Sequence, residues 1–364
     1  MGVVTPAVVD EPLEGKECAL RHAMKVAALM SAGALALTAC GSSILSHSAS
    51  GNDGEGSKVK ACLAYDGGGR GDQSFNDSAA KGLDKAKTDL GVQTAEVEAS
   101  QGENDAVRQE RLNALADDGC TNIIAVGFLY AKAIGAAAKD NPDIHFAIID
   151  DASDDSKGDN VAQLTFAENE GSFLVGAAAA LKSKSGKVGF IGGMDVPLIN
   201  KFQAGFEAGA KEVTPDITVE TKYLADDSSG FADPATARTA AEGMYDDGAD
   251  VVYHAAGRSG WGVFEAAKAK GKLAIGVDSD QAVTAEGRVR DVILTSMVKN
   301  VDVAVFDDIK ASVDGRPQSG NIVFNLRDGG VGYSTTGGKV DDIKDTLDDY
   351  QKKIEDGEIT VPEK

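Results

Sequence analysis

Short apolar runs alternate with longer segments in which apolar residues return every three or four positions, and the alternation holds through most of the chain after residue 58. Residues 59–65 read as a buried parallel strand, mostly apolar and ended by Asp66. Gly67, Gly68, Gly69 and Gly71 follow and let the backbone bend tightly. Ser74, Asn76 or Asp77 can then cap a helix whose inward stripe is Ala79, Leu83, Ala86 and Leu90. Further helices are expected over 105–117, with Val107, Leu112 and Leu115 apolar, and over 131–139. Strands are expected at 122–126, 145–149 and 161–166, the second ending in Asp150-Asp151. The Ala- and Gly-rich helix at 168–182 should pack closely against a neighbour.

A second round opens with a strand at 187–191, the loop GGMDVPLIN and a helix at 201–212, and continues through 218–223, 235–246, 251–254, 262–269 and 273–277. A strand at 293–296 and a helix at 298–313 follow, and 322–364 holds two short strand-like pieces and an acidic helix at 341–356. Alternating βα units argue for parallel sheets with helices on both faces. Two series of similar size predict an α/β protein of two doubly wound lobes joined near 163–167. The first lobe is assigned 58–165 plus 291–317, and the second 166–290 plus 318–364.

The amino terminus changes the picture. Arg21, His22 and Lys25 precede the apolar run VAALMSAGALALTAC, a positive region, a hydrophobic core and small residues before a cleavage point. The run is too short to span a bilayer. Its end, Leu37-Thr38-Ala39-Cys40, resembles a bacterial lipobox, which makes Cys40 the expected lipidated first residue of a mature protein outside the cytoplasm. Residues 1–40 are therefore read as leader and signal, with Met24 a better start than Met1, and 41–57 as a Gly/Ser-rich tether. Cys18 falls outside the mature chain. Cys62 and Cys120 read as small buried hydrophobes, and a bridge between them is compatible with this location, although spacing alone does not decide it. The 364 residues, 42% hydrophobic and 26% charged, suit a globular body. A net charge of −22 argues against nucleic acid or an anionic membrane surface as partner.

Candidate chemistry lies at the strand ends, where open α/β sheets bind ligands. Asp66 and Phe75 follow the first strand, with Asp72, Ser74 and Asn76 around the ring, and Asp150-Asp151 end another. Gly257, Arg258 and Trp261 follow 251–254, Asp278 follows 273–277, and Lys299 follows 293–296. Aromatic faces stack on flat rings, and carboxylates accept from sugar hydroxyls or ring N–H groups. Catalytic readings lack their parts. No nucleophile elbow, HExxH or paired CxxC occurs, and His254 fits strand-end packing. Gly69-x-Gly71 lacks the third glycine of a dinucleotide fingerprint, and Asp150, Asp151, Asp154 and Asp155 depart from an EF-hand loop. No enzyme activity, cofactor or metal is expected.

DQSFND at 72–77, FIGGMD at 190–195, HAAGRSGWGVFEAAK at 254–268, IGVDSDQ at 275–281 and LTSMVKNVD at 294–302 resemble the motifs of the basic membrane protein family. These are lipoprotein substrate-binding components of ABC transporters, among them purine nucleoside receptors, and the resemblance spans roughly 59–324. It implies a type I periplasmic-binding-protein fold with three hinge crossings, a nucleoside between the lobes, permease and ATPase partners and a monomeric chain. By the family's pattern Phe75 would stack on the purine, Asp150 would bind the base edge, and Asp278 and Lys299 would hold the ribose. Asp66, Asn76 and Gly257 would line the pocket, with Trp261 the candidate for the opposite ring face and Tyr253 the second choice. Arg70 and Arg258 stand where smaller or less charged residues are expected. They leave open, as alternatives to a nucleoside, riboflavin or a phosphorylated ligand, besides a ligand sensor of the same fold.

Overall fold

The computed structural model describes residues 58–100, 102–285 and 287–364. The expected leader, Cys40 and the tether lie outside the described residues.

The first βα series runs β1 (Lys60–Ala64), α1 (Phe75–Leu90), β2 (Gln93–Val97), α2 (Asp105–Asp117), β3 (Asn122–Val126), α3 (Ala131–Asp140), β4 (His145–Ile149) and β5 (Val161–Phe166). The second runs α4 (Glu168–Lys182), β6 (Lys187–Met194), α5 (Pro197–Val213), β7 (Thr218–Ala225), α6 (Pro234–Asp246), β8 (Val251–Ala255), α7 (Gly260–Lys270), β9 (Leu273–Asp278) and a short α8 (Gln281–Thr284). The chain ends with β10 (Ile293–Lys299), α9 (Val301–Val313), β11 (Gly320–Phe324), β12 (Val331–Tyr333) and α10 (Lys344–Glu355).

Two six-stranded sheets result, ordered β11-β5-β4-β3-β1-β2 and β12-β10-β9-β8-β6-β7. All pairings are parallel except β12 against β10. β3 and β4 are buried along their whole length, which explains their unbroken apolar runs. β2, QTAEV, escapes the apolar pattern because it is an edge strand with exposed and half-buried positions only.

The last third departs from the expected lobe boundaries. β10, assigned with residues 291–317 to the first lobe, pairs with β9 in the second sheet. β11, assigned with 318–364 to the second lobe, pairs with β5 in the first. Within 291–317 it is α9 that joins the first lobe, where Val301, Ala304, Val305 and Ile309 share a core with Ala79, Leu83 and Ala86 of α1. Sheet membership is a matter of backbone hydrogen bonds, to which apolar patterning is blind. β10 also runs on to Lys299, so α9 begins at Val301 and not at 298.

The chain therefore passes between lobes three times: after β5, after β10 and after β11. These crossings are tied to one another. Ala167 N donates to Phe324 O at 2.9 Å, Asn300 N to Gly330 O at 2.8 Å, and the Asn300 amide to Gly329 O at 2.7 Å. Within the second lobe α4 lies against α5 at glycine contacts, as its composition predicts. A Cβ on Gly176 would stand 2.1 Å from Phe206 O, and one on Gly209 only 1.9 Å from Phe173 O. The second lobe is thus close-packed where α4 meets α5.

Cys62 in β1 and Cys120 ahead of β3 form a disulfide, with Cα atoms 6.1 Å apart and both residues fully buried. It closes a sequence separation of 58 residues. Replacing both by alanine should lower the unfolding free energy by about 2–4 kcal/mol. Urea titration under non-reducing conditions checks this; a double variant as stable as the parent would mean the sheet already holds these strands as firmly.

Candidate functional site

The carboxyl ends of the two sheets face one another across a cleft enclosing about 960 Å³ of free space, its mouth included. From the first lobe Asp66, Phe75, Asn76 and Asp150 line it, and from the second Gly257, Asp278 and Lys299.

On the first lobe the Gly-rich loop is folded around carboxylates. Asp66 Oδ1 accepts from Gly68 N at 2.8 Å and from the Asn76 amide at 2.7 Å. Asp72, not Ser74, Asn76 or Asp77, caps α1: its oxygens accept from the backbone N–H groups of Ser74 (2.9 Å), Asn76 (2.9 Å) and Asp77 (3.1 Å). This fixes Phe75, the first residue of α1, in the cleft wall beside Asp66 and Asn76.

Asp150 follows β4 and Asp278 ends β9, the fourth strand of each series, so they are equivalent positions in the two lobes. Both are left-handed, with φ of 71° and 62°; across the cleft from Asp278, Gln73 is too, at 56°. These are the described non-glycine residues with positive φ; Asp150 and Asp278 line the cleft, and Gln73 accepts from the Gln281 amide where the lobes meet. Strain gathered at a binding site is a recognised pattern, and aspartate tolerates this conformation better than most residues.

Lys299, at the end of β10, is 1% exposed. Its Nζ lies 2.6 Å from Asp150 Oδ2 and 3.2 Å from Glu168 Oε1. The ring centroids of Phe75, Phe166 and Phe202 stand 5.1, 5.0 and 5.5 Å from it. Burial alone would lower the ammonium's pKa, but Asp150, Glu168 and Asp278 together hold it well above its ordinary value. Burial acts the other way on the carboxylates. It pushes Asp66 up to about 6 and raises Glu168, which Lys299 only partly relieves.

Trp261 does not reach the cleft. It sits on α7, edge-on to Phe264 at 5.9 Å, packed in a core on the far side of the second sheet. Nor does Tyr253, which is fully buried between Phe190 and Phe206. The second lobe presents Phe202 of α5 and Phe231 after β7 instead. Neither follows the predicted end of a strand, so the strand-end rule passes over them; the signal available was an aromatic close to the FIGGMD loop. Arg70 is turned away, held by Glu96 at 2.7 Å and Asp84 at 2.5 Å. Arg258 does line the cleft and is exposed. His254 is buried and bonded to Gln281 at 3.1 Å, and burial lowers its pKa to about 4, so it packs as a neutral ring.

Asp278 offers a direct check of the site's electrostatics. Burial, only partly relieved by Lys299 and Ser74, pushes it up to about 6 from an ordinary 3.8. Between these values the folded state holds a proton that the unfolded chain has released; above about pH 6 both are ionised and the full burial cost stands. Asn tolerates the left-handed backbone and can still accept from Ser74. Asp278→Asn should therefore stabilise the empty protein by about 1–3 kcal/mol above pH 6, the gain vanishing as the pH falls to about 4. Urea titrations of both proteins across this window test it; a pH-independent difference would mean the carboxylate is not held above its ordinary range.

The family of ABC transporter substrate-binding proteins described as PnrA-like matches residues 58–364. The chain is 37% identical over 351 residues to the ABC transporter nucleoside-binding protein BmpA of Lactococcus lactis, covering 92% of this chain and 98% of that one. It is 35% identical over 327 residues to basic membrane protein A of Borreliella burgdorferi, covering 88% and 93%. Among solved structures it resembles an ABC transporter solute-binding protein from Aeropyrum pernix, with a TM-score of 0.73, 30% identity, and coverage of 84% of this chain and 94% of that one. With its sheets, its interlobe cleft and nearly its whole length matched in this way, the chain belongs to the PnrA-like, or basic membrane protein, family of ABC transporter substrate-binding proteins, which bind a transported substrate and are not enzymes.

Proposed function

We propose that the cleft binds a nucleoside, with a purine base, and presents it to an ABC permease and its ATPase. The observation that carries this reading is Phe75 in the cleft wall, flanked by Asp66, Asn76 and Asp150 and faced by Phe202 and Phe231 from the other lobe. The base stacks on Phe75 with an aromatic of the second lobe on its other side, while Asp66, Asn76 and Asp150 meet its polar edge. Asp278 and Lys299 take the sugar hydroxyls. A neutral ligand suits the charge balance: Lys299 is already matched by Asp150 and Glu168, and Arg70 by Glu96 and Asp84. A phosphate would have to be held by Arg258 at the rim. The Lactococcus lactis relative, named as nucleoside-binding, supports the same choice. Lipid on Cys40 anchors the protein at the outer face of the cell membrane, as a monomer.

Native mass spectrometry of residues 57–364, followed by denaturing release, tests the ligand class. A released mass of adenosine, guanosine or inosine is expected; an empty protein that none of the three stabilises against heat would sink the purine reading. Phe75→Ala should weaken binding by about 1–3 kcal/mol, roughly five- to 150-fold, in calorimetric titration. Unchanged affinity would remove Phe75 from the site. Cys40→Ser should move the protein from the membrane fraction to the soluble one and abolish incorporation of labelled palmitate, and retention on the membrane would refute the anchor.

A further inference from the structure

Ser74 breaks a local rule. It occupies the N-cap position of α1, where a serine hydroxyl ordinarily accepts from the helix's free N–H groups, yet its side chain makes no capping bond. Asp72 has taken over the cap, accepting from the N–H groups of Ser74, Asn76 and Asp77. The freed hydroxyl crosses the cleft and donates to Asp278 Oδ2 at 2.6 Å. Ser74 is fully buried there, and Asp278 is 6% exposed. The second lobe answers on the same segment: Ser279 Oγ donates to Ser74 O at 2.9 Å, and the Gln281 amide to Gln73 O at 3.1 Å. Gln281 is itself locked, its Oε1 accepting from Val277 N at 2.9 Å and its N–H bonded to Ser296 Oγ. The strained backbones of Gln73 and Asp278 lie at the two ends of this contact. Among the described residues no donor reaches Asp278 Oδ1, although the residue lines the cleft.

We propose that Ser74 is a positioning residue contributed by the opposite lobe, which orients the Asp278 carboxylate so that Oδ1 faces the sugar of a bound nucleoside. This rests on the sugar-binding reading of Asp278 above. The polar edge of the base is read by the first lobe, through Asp66, Asn76 and Asp150 beside Phe75. Sugar recognition is complete only when the lobes meet, because the group that fixes its carboxylate comes from across the cleft. The protein therefore discriminates nucleosides from free bases at closure and not at first contact. A free base can occupy the first lobe without recruiting Asp278.

A double-mutant cycle on the purified chain tests this by calorimetry, with adenosine, guanosine and inosine against adenine and hypoxanthine. Asp278→Gly removes the carboxylate at a left-handed position that glycine accepts freely. Ser74→Ala leaves the Asp72 cap of α1 in place, so the variant should fold, which its melting curve verifies. Ser74→Ala is expected to weaken the nucleosides about tenfold, the size of a lost hydrogen bond to a charged group, and the bases by about twofold or less. In the Asp278→Gly background it should cost the nucleosides about twofold or less, since the residue it positions is gone. Equal losses for nucleosides and bases, or a full loss persisting beside Asp278→Gly, would reduce Ser74 to a contact between lobes and overturn the proposal. Should Asp278→Gly itself weaken bases as much as nucleosides, the sugar-binding reading of Asp278 fails and the proposal falls with it.

Discussion

A buried ammonium is the constraint around which the cleft is built. Lys299 sits at the end of β10, where the chain leaves the second sheet and crosses to α9. Removing such a charge from water costs several kcal/mol unless it is paired. Its partners come from different parts of the molecule: Asp150 from the end of β4 in the first sheet, and Glu168 from the first turn of α4, directly after another crossing. The ion cluster therefore spans the lobes at the floor of the cleft. Glu168 is 1% exposed and its oxygens accept no well-aligned hydrogen bond, so it depends on the charges of Lys299 and, at 3.8 Å, Lys201. Anything that draws Lys299 or Asp150 toward a ligand alters the balance at the hinge as well as in the pocket.

The two lobes solve the same problem with the same device. In each, the fourth strand ends in an aspartate held left-handed, which turns the carboxylate into the cleft where an extended residue would continue the strand. One of the pair meets Lys299 and the other meets Ser74, so equivalent positions receive unlike partners. The pseudo-symmetry of the scaffold is broken at the side chains, so the two sides of the cleft differ chemically.

Much of this was legible in the sequence, and the failures have physical causes. Alternating apolar runs and helical stripes identified nearly every element of both series, because central parallel strands such as β3 and β4 are buried on both faces. The edge strand β2 carries no such signal and escapes the pattern, while β10 and β11 fall in the lobes opposite to those expected because strand pairing lies in backbone hydrogen bonds. Strand-end reading, sharpened by the family resemblance, found Asp66, Phe75, Asn76, Asp150, Gly257, Asp278 and Lys299, all of which line the cleft. It failed for Trp261, since the second residue of a helix can face either side of it, and α7 turns this one toward Phe264. Phe202 and Phe231 were missed because they reach the cleft from a helix and from a loop beyond β7.

Above the Lys299–Asp150 pair at the floor of the cleft, the rims are joined by few and weak interactions. The bonds that join the rims involve Gln73, Ser74, Asp278, Ser279 and Gln281, polar groups that water would serve in an open cleft. Each is worth about 1 kcal/mol net, somewhat more where Asp278 is charged. Strained backbone at Gln73 and Asp278 is set against that sum. A ligand that contacts both lobes then decides the population, because it binds the closed form with the aromatic faces and carboxylates of both and the open form with one set only. Weak rim bonds also serve release, since a permease that competes for the lobes need overcome the ligand's differential affinity and little more.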